Sequence, residues 1–137
     1  MLFYILIELL IKNWYMIFQF YLLPETYVFT KSLGYNKHSF LFFNESNYNT
    51  SIIEKNKAIK FKIDFTFESR CIKLLSKTKL TDVGISSKIT SVLASNNIPC
   101  NVISGYENDY FFVPFNDGLR AFKVLSSLSW LNLFFIS

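Results

Sequence analysis

The 137-residue chain is poor in the residues that most often carry chemistry: it has one histidine, two cysteines, three prolines and four glycines. A lone imidazole, His38, leaves little room for a zinc or haem site or a histidine-dependent triad. Two cysteines are too few for a disulfide scaffold and suit a reducing compartment, so a cytoplasmic protein is expected. The scarcity of glycine and proline excludes collagen-like and linker-like chains. No glycine-rich phosphate loop, GxSxG, HExxH or CxxC motif occurs. The expectation is therefore a protein that is not an enzyme, with no cofactor and no metal. What is abundant is apolar bulk: 51% of residues are hydrophobic and sixteen are Phe, against 18% charged. That excludes intrinsic disorder and lets a chain of this length build an ordinary core.

The net charge is +4, and most of the excess lies between Lys55 and Lys79, where eight basic residues meet only Asp64 and Glu68. Such a stretch reads as a solvated rim, or as a surface that attracts phosphates or an anionic layer. With a single Arg, it lacks the pattern of a nucleic-acid reader, and no nucleic-acid partner is expected. Residues 1–23 are nearly all apolar (MLFYILIELLIKNWYMIFQFYLL). Glu8, Lys12, Tyr15 and Gln19 fall on one stripe at helical spacing, which predicts a helix with one polar edge and a broad apolar face. It could pack on the body, on a second copy or on a bilayer, and membrane contact is the less favoured of these. A signal peptide fits poorly, because no basic residue precedes the apolar run. Pro24 is expected to end the helix.

Residues 26–30 (TYVFT) and 39–43 (SFLFF) read as strands, and the Asn-rich residues 44–50 as a loop. Ile59, Phe61 and Ile63 alternate with charged residues, which predicts a half-buried strand. From Arg70 onward the pattern becomes orderly. Residues 70–76 form a strand. Ile85, Ile89, Val92 and Leu93 then mark an amphipathic helix that stops at Asn96, Asn97 and Pro99. Residues 100–105 and 109–113 make a hairpin. A second helix follows, capped by Asn116 and Asp117 and facing inward through Ala121, Val124, Leu125 and Leu128. Residues 131–136 (LNLFFI) are expected to close the sheet. The order is β-α-β-β-α-β, the ferredoxin-like α+β arrangement. In it a third strand separates those of Cys71 and Cys100, so the two thiols are too far apart to bond.

The run LTDVGISSKITSVLASNNIPCNVISGYENDYFFVP resembles the small ACT-domain proteins of the tandem, CASTOR-like kind. The matching features are the Val-Gly that opens the helix, then Ile-Pro-Cys-Asn-Val, Ser-Gly-Tyr and Phe-Val-Pro. The likeness is close over residues 70–128 and faint at residues 24–30 (PETYVFT). It implies an ACT-like domain at 69–137, a shortened, incomplete ACT-like half at 24–68, and the hydrophobic helix at 1–23. The family usually carries histidines in the turn after Ser-Gly-Tyr. Here Glu107, Asn108 and Tyr110 stand in that region, so no imidazole role carries over.

The physics of residues 81–85 points the same way. A helix starting near Gly84 leaves its first N–H groups unpaired and partly positive, and a residue without Cβ lets a carboxylate approach. Thr81, Asp82, Val83, Gly84 and Ile85, facing Asn101, Val102 and Ile103, are therefore the candidate ligand-binding residues. Carboxylate would sit on the helix start and ammonium on Asp82 or a carbonyl. Thr-Asp before a helix also serves as a simple cap, and the rival reading of Gly84 is that it serves only the turn. The resemblance implies that ACT domains bind regulatory ligands at this loop, between domains. The expected role is binding a small ligand, an amino acid, and passing that event to a second copy or a partner protein. The rival is a structural or assembly module without a ligand.

Overall fold

The computed structural model describes residue 1, residues 18–76 and residues 79–134, with side chains as far as residue 128. The elements run β1 (Phe20–Ser32), β2 (Leu41–Asn44), β3 (Asn49–Glu54), α1 (Lys55–Lys60), β4 (Thr66–Leu74) and α2 (Ile85–Ser95). They continue through β5 (Asn101–Ser104), β6 (Asp109–Pro114), a 3₁₀ turn (Phe115–Asp117) and α3 (Gly118–Phe134). All six strands join one sheet in the order β2-β3-β1-β4-β6-β5, with every adjacent pair antiparallel.

From β4 onward the expected layout holds: β4 is central, the strand after α2 is an edge, and β6 lies between them. This is the ACT-type ferredoxin-like fold, with one substitution. Where a closing strand is predicted at residues 131–136, α3 continues as helix through Phe134, and the last two of those positions lie outside the described residues. The fourth sheet position is filled from the other end of the chain, where Phe20, Tyr21 and Leu22 pair with Leu74, Lys73 and Ile72. A strand is placed by the hydrogen-bonding edge it meets, and β1 occupies the edge of β4 that a closing strand would have used.

Most of the apolar helix expected at residues 1–23 lies outside the described residues. Its last four do not fit that expectation, since residues 20–23 are strand and Pro24 lies within β1 rather than ending a helix. Proline cannot donate to a ladder, and it sits where the register shifts between Leu22 and Thr26, a bulge that tolerates it. The Arg70 guanidinium donates to the Leu23 carbonyl at 3.1 Å, pinning the bulge to β4. Beyond it β1 pairs on both sides: Thr26, Tyr27 and Phe29 stay with β4, while Tyr27–Ser32 pair with Glu54–Asn49 of β3.

Two further expectations fail for local reasons. The strand predicted at Ile59, Phe61 and Ile63 is instead helix α1 and the turn that follows. The Phe61 N–H donates to the Lys57 carbonyl, and Lys62 takes a left-handed φ of 52°. Ala58 is the buried residue, set against Val28 and Ile53, with Ile63 packed beside them. Asn116 and Asp117 make no side-chain cap, and the Asp117 carboxylate pairs with Arg120 at 2.9 Å. The loop expected at residues 44–50 is the turn of the β2–β3 hairpin, whose last residues already pair.

The helices share one face of the sheet. Ile85, Ile89 and Leu93 of α2 and Ala121, Leu125 and Leu128 of α3 close over Ile72, Leu74, Phe111 and Val113. The predicted inward faces of both helices are those observed except at Val124, since Phe122 rather than Val124 packs on this core. α2 ends in a paired-carbonyl motif: the Ile98 N–H donates to the Leu93 carbonyl and the Asn97 N–H to that of Ala94, each at 3.0 Å. Asn97 takes the left-handed φ of 56° this requires, and Ile98 is buried beside Leu93. The opposite face carries Tyr27, Ile52, Cys71 and Phe112.

Gly118 opens α3 against β4, and a Cβ there would lie 2.6 Å from Cγ and 2.8 Å from Cβ of Arg70. Alanine ordinarily favours a helix, but here it would displace the stem of the residue that pins β1. Gly118→Ala is expected to destabilise the fold by about 1–3 kcal/mol, as overpacking does, measured by urea unfolding.

Candidate functional site

The loop before α2 reaches the helix through Gly84, whose φ of 79° is left-handed and open to glycine without strain. The first intrahelical bond runs from the Lys88 N–H to the Gly84 carbonyl at 3.0 Å. The amides of Ile85, Ser86 and Ser87 therefore have no partner within the helix, and no side chain caps them. A Cβ added at Gly84 would meet nothing within 4 Å, so the space beside it is open.

That space belongs to a cavity of about 200 Å³ between the start of α2 and the β5–β6 hairpin. On the helix side its walls are Lys79, Leu80, Asp82 and the Gly84–Ser87 stretch; on the hairpin side they are Ser104, Gly105, Tyr106 and Asp109. The hairpin is held tight by the Gly105 N–H, which donates to the Asn108 carbonyl at 2.8 Å. This sets Asp109 opposite Ser104 at the first rung of the ladder.

Of the eight residues singled out from the sequence, Asp82, Gly84 and Ile85 line this cavity, and Thr81, Val83, Asn101, Val102 and Ile103 do not. Val83 points into solvent, Val102 packs on the helix-side core and Ile103 on the opposite face. Asp82 is occupied locally: its carboxylate accepts the Lys79 N–H at 2.6 Å, and its own N–H donates to the Lys79 carbonyl. It closes a turn, the simple bonding role open to an Asp ahead of a helix.

Asp109 was missed as a site residue, because in sequence an acidic residue beside a turn reads as local bonding. In the fold its exposure is 9%, it lines the cavity, and its carboxylate has no hydrogen-bond or ion-pair partner among the described residues. Its position just after Ser-Gly-Tyr and ahead of an apolar strand was the available signal. A carboxylate at the edge of a cavity with no protein partner is free to accept hydrogen bonds from a bound molecule. The cavity thus sets unpaired helix amides against a lone carboxylate, complementary to a molecule bearing both charges.

Residues 66–127 match the family model of the ACT domain. This stretch has the ACT-type fold and is similar to the ACT domain. The ACT fold is also what the similar solved structures share. A Vibrio cholerae protein of unknown function, described as a possible transport protein, superposes with a TM-score of 0.74 at 24% identity, over 82% of this chain and 91% of that one. An Agrobacterium tumefaciens protein gives 0.68 at 15%, over 82% and 89%. The E. coli aspartokinase III solved with aspartate and ADP gives 0.58 at 14%, over 86% of this chain and 34% of the enzyme. No curated protein sequence matches. Among the described residues, no helix is long and apolar enough to cross a membrane, and no group of three His, Cys, Asp or Glu could hold a metal.

The ACT domain also holds both thiols. Burial pushes Cys71 from 9.0 up to about 12, with Cys100 nearby adding to it, and burial pushes Cys100 up to about 12 as well. Unfolded thiols ionise near 9, so their contribution to stability is whole below that pH and is lost as pH rises towards 12. Burial also raises the Tyr27 phenol, which acts in the same direction. The urea midpoint is expected to stay level up to about pH 9 and then to fall. Iodoacetamide at pH 8 should label the native protein far more slowly than the unfolded chain.

Proposed function

We propose that the ACT domain is a regulatory module that binds a free α-amino acid in the cavity between Gly84 and Asp109. The ligand carboxylate would rest on the amides of Ile85, Ser86 and Ser87, and its ammonium on Asp109. Asp82 shapes the loop, and Tyr106 stands at the mouth. The observation that carries this reading is Asp109, a residue nine-tenths buried whose carboxylate lines the cavity with the free amides and pairs with no described residue. The volume suits a small metabolite, since drug-sized ligands take about 300–1,000 Å³. The fold supports a regulatory use as well, because an aspartate kinase from Clostridium acetobutylicum described as allosteric contains the same unit.

Residues 24–68 would be a shortened ACT-like half that supports the domain at 69–137, and a second copy or partner protein would receive the signal. Regulation follows if the assembled arrangement binds the ligand more tightly than the separate one, because a ligand shifts an equilibrium only by its differential affinity. Nothing in this scheme asks for catalysis.

Calorimetric titration of the full chain with each of the twenty amino acids tests it. One or a few are expected to bind, and Asp109→Asn should weaken that binding about tenfold or more, the loss of one charge-assisted hydrogen bond. No heat up to millimolar concentration with any amino acid, or equal binding by Asp109→Asn, would overturn the reading.

A further inference from the structure

We propose that the α1 end of the molecule, away from the ACT domain's cavity, docks on the surface of an anionic lipid bilayer. Two turns meet there. One links β1 to β2 and carries Leu33, Tyr35, Lys37 and His38; the other follows α1 and carries Phe61 and Lys62. They are held together by a flat stack of His38 on Phe61, with ring centroids 3.9 Å apart and planes 12° apart.

On these two turns and on α1, large apolar side chains face solvent: Leu33 is 91% exposed, Tyr35 71% and Ile59, which also borders a groove with Glu25, Glu54 and Glu68, 59%, with Phe61 itself half exposed. Single exposed apolar residues need no explanation, but several on two abutting turns form a patch. Lysines border it. Lys55 and Lys57 are taken up by Glu68 at 2.7 Å and Glu54 at 3.0 Å, whereas no described carboxylate pairs with Lys37, Lys60 or Lys62. Between residues 55 and 65 the one acidic residue is Asp64.

Aliphatic and aromatic tips flanked by lysines on long stems match the boundary of a bilayer. The apolar groups enter the outer acyl region while the ammonium groups stay with the headgroups. Charge complementarity selects anionic headgroups, each lysine near such a surface adding about fivefold to affinity. A nucleic acid is a poorer occupant, because Leu33 and Ile59 have no base to stack on and the patch holds no arginine.

Flotation of the full-length protein with phosphatidylcholine vesicles, with and without phosphatidylserine, tests this. Binding is expected with phosphatidylserine and should fall with rising salt. The double variant Lys60→Glu, Lys62→Glu should lose at least about twentyfold, and Ile59→Ser should weaken binding while leaving its salt dependence in place. An unchanged thermal unfolding curve would show that these exposed substitutions leave the fold intact. The proposal is overturned if the protein fails to float with anionic vesicles. It is overturned equally if the charge-reversed variant floats as well as the natural protein, which would assign any attachment to another segment.

Discussion

A single strand with two partners holds this molecule together. The first residues of β1 complete the ACT sheet against β4, and its last residues form a ladder with β3. The β4 pairing is interrupted by the bulge at Pro24, where the backbone cannot donate and Arg70 supplies a partner for the Leu23 carbonyl, and resumes from Thr26 to Phe29 beside the β3 ladder. Ser69 adds a buried bond from its hydroxyl to the Tyr27 carbonyl at 2.9 Å. Because β4 is also the strand onto which α2 and α3 pack, one side of it sets the helix-side core and its open edge receives β1. Loosening β1 would expose the edge of β4 and the Leu22 and Phe20 side chains that pack on that core.

The cavity follows from this arrangement at one remove. With β4 and β6 fixed, α2 must begin beside the β5–β6 turn, and Gly84 permits the abrupt entry by which its first amides remain unpaired. Asp109 opens a strand anchored by Phe111 and Phe112, both fully buried, one on each face. Packing of this kind leaves polar groups unpaired where a ligand can pair them, a frequent compromise between stability and binding. The basic, apolar-tipped surface at α1 lies outside this core and depends on it little, so the two surfaces can be altered separately.

Some of this was legible in the residues. The 3.6-residue spacing of Ile85, Ile89 and Leu93, the Asn-Asn-Ile-Pro stop and the apolar β6 run each hold information within about ten positions, and each element appeared where the pattern put it. Failures came where a local pattern had two solutions. Ile59, Phe61 and Ile63 alternate like a strand, yet the buried contact is Ala58, and the lysines between them favour helix as readily. The Phe-rich tail reads as a strand only while the fourth sheet position is vacant. Asp109 gave the sequence appearance of a turn residue, since nothing adjacent to it in the chain reveals what lies across the cavity.

The ACT domain's helices, hairpin and Gly84 turn were written locally, because capping, periodicity and left-handed backbone angles are properties of short segments. The order of strands at the sheet's centre, the choice of Asp109 over Asp82 as the unpaired carboxylate, and the meeting of His38 with Phe61 were decided only in three dimensions. Each of these depends on hydrogen-bonding edges or side chains brought together from distant positions, and competition for an edge or for burial is settled by the whole fold rather than by neighbours in the chain.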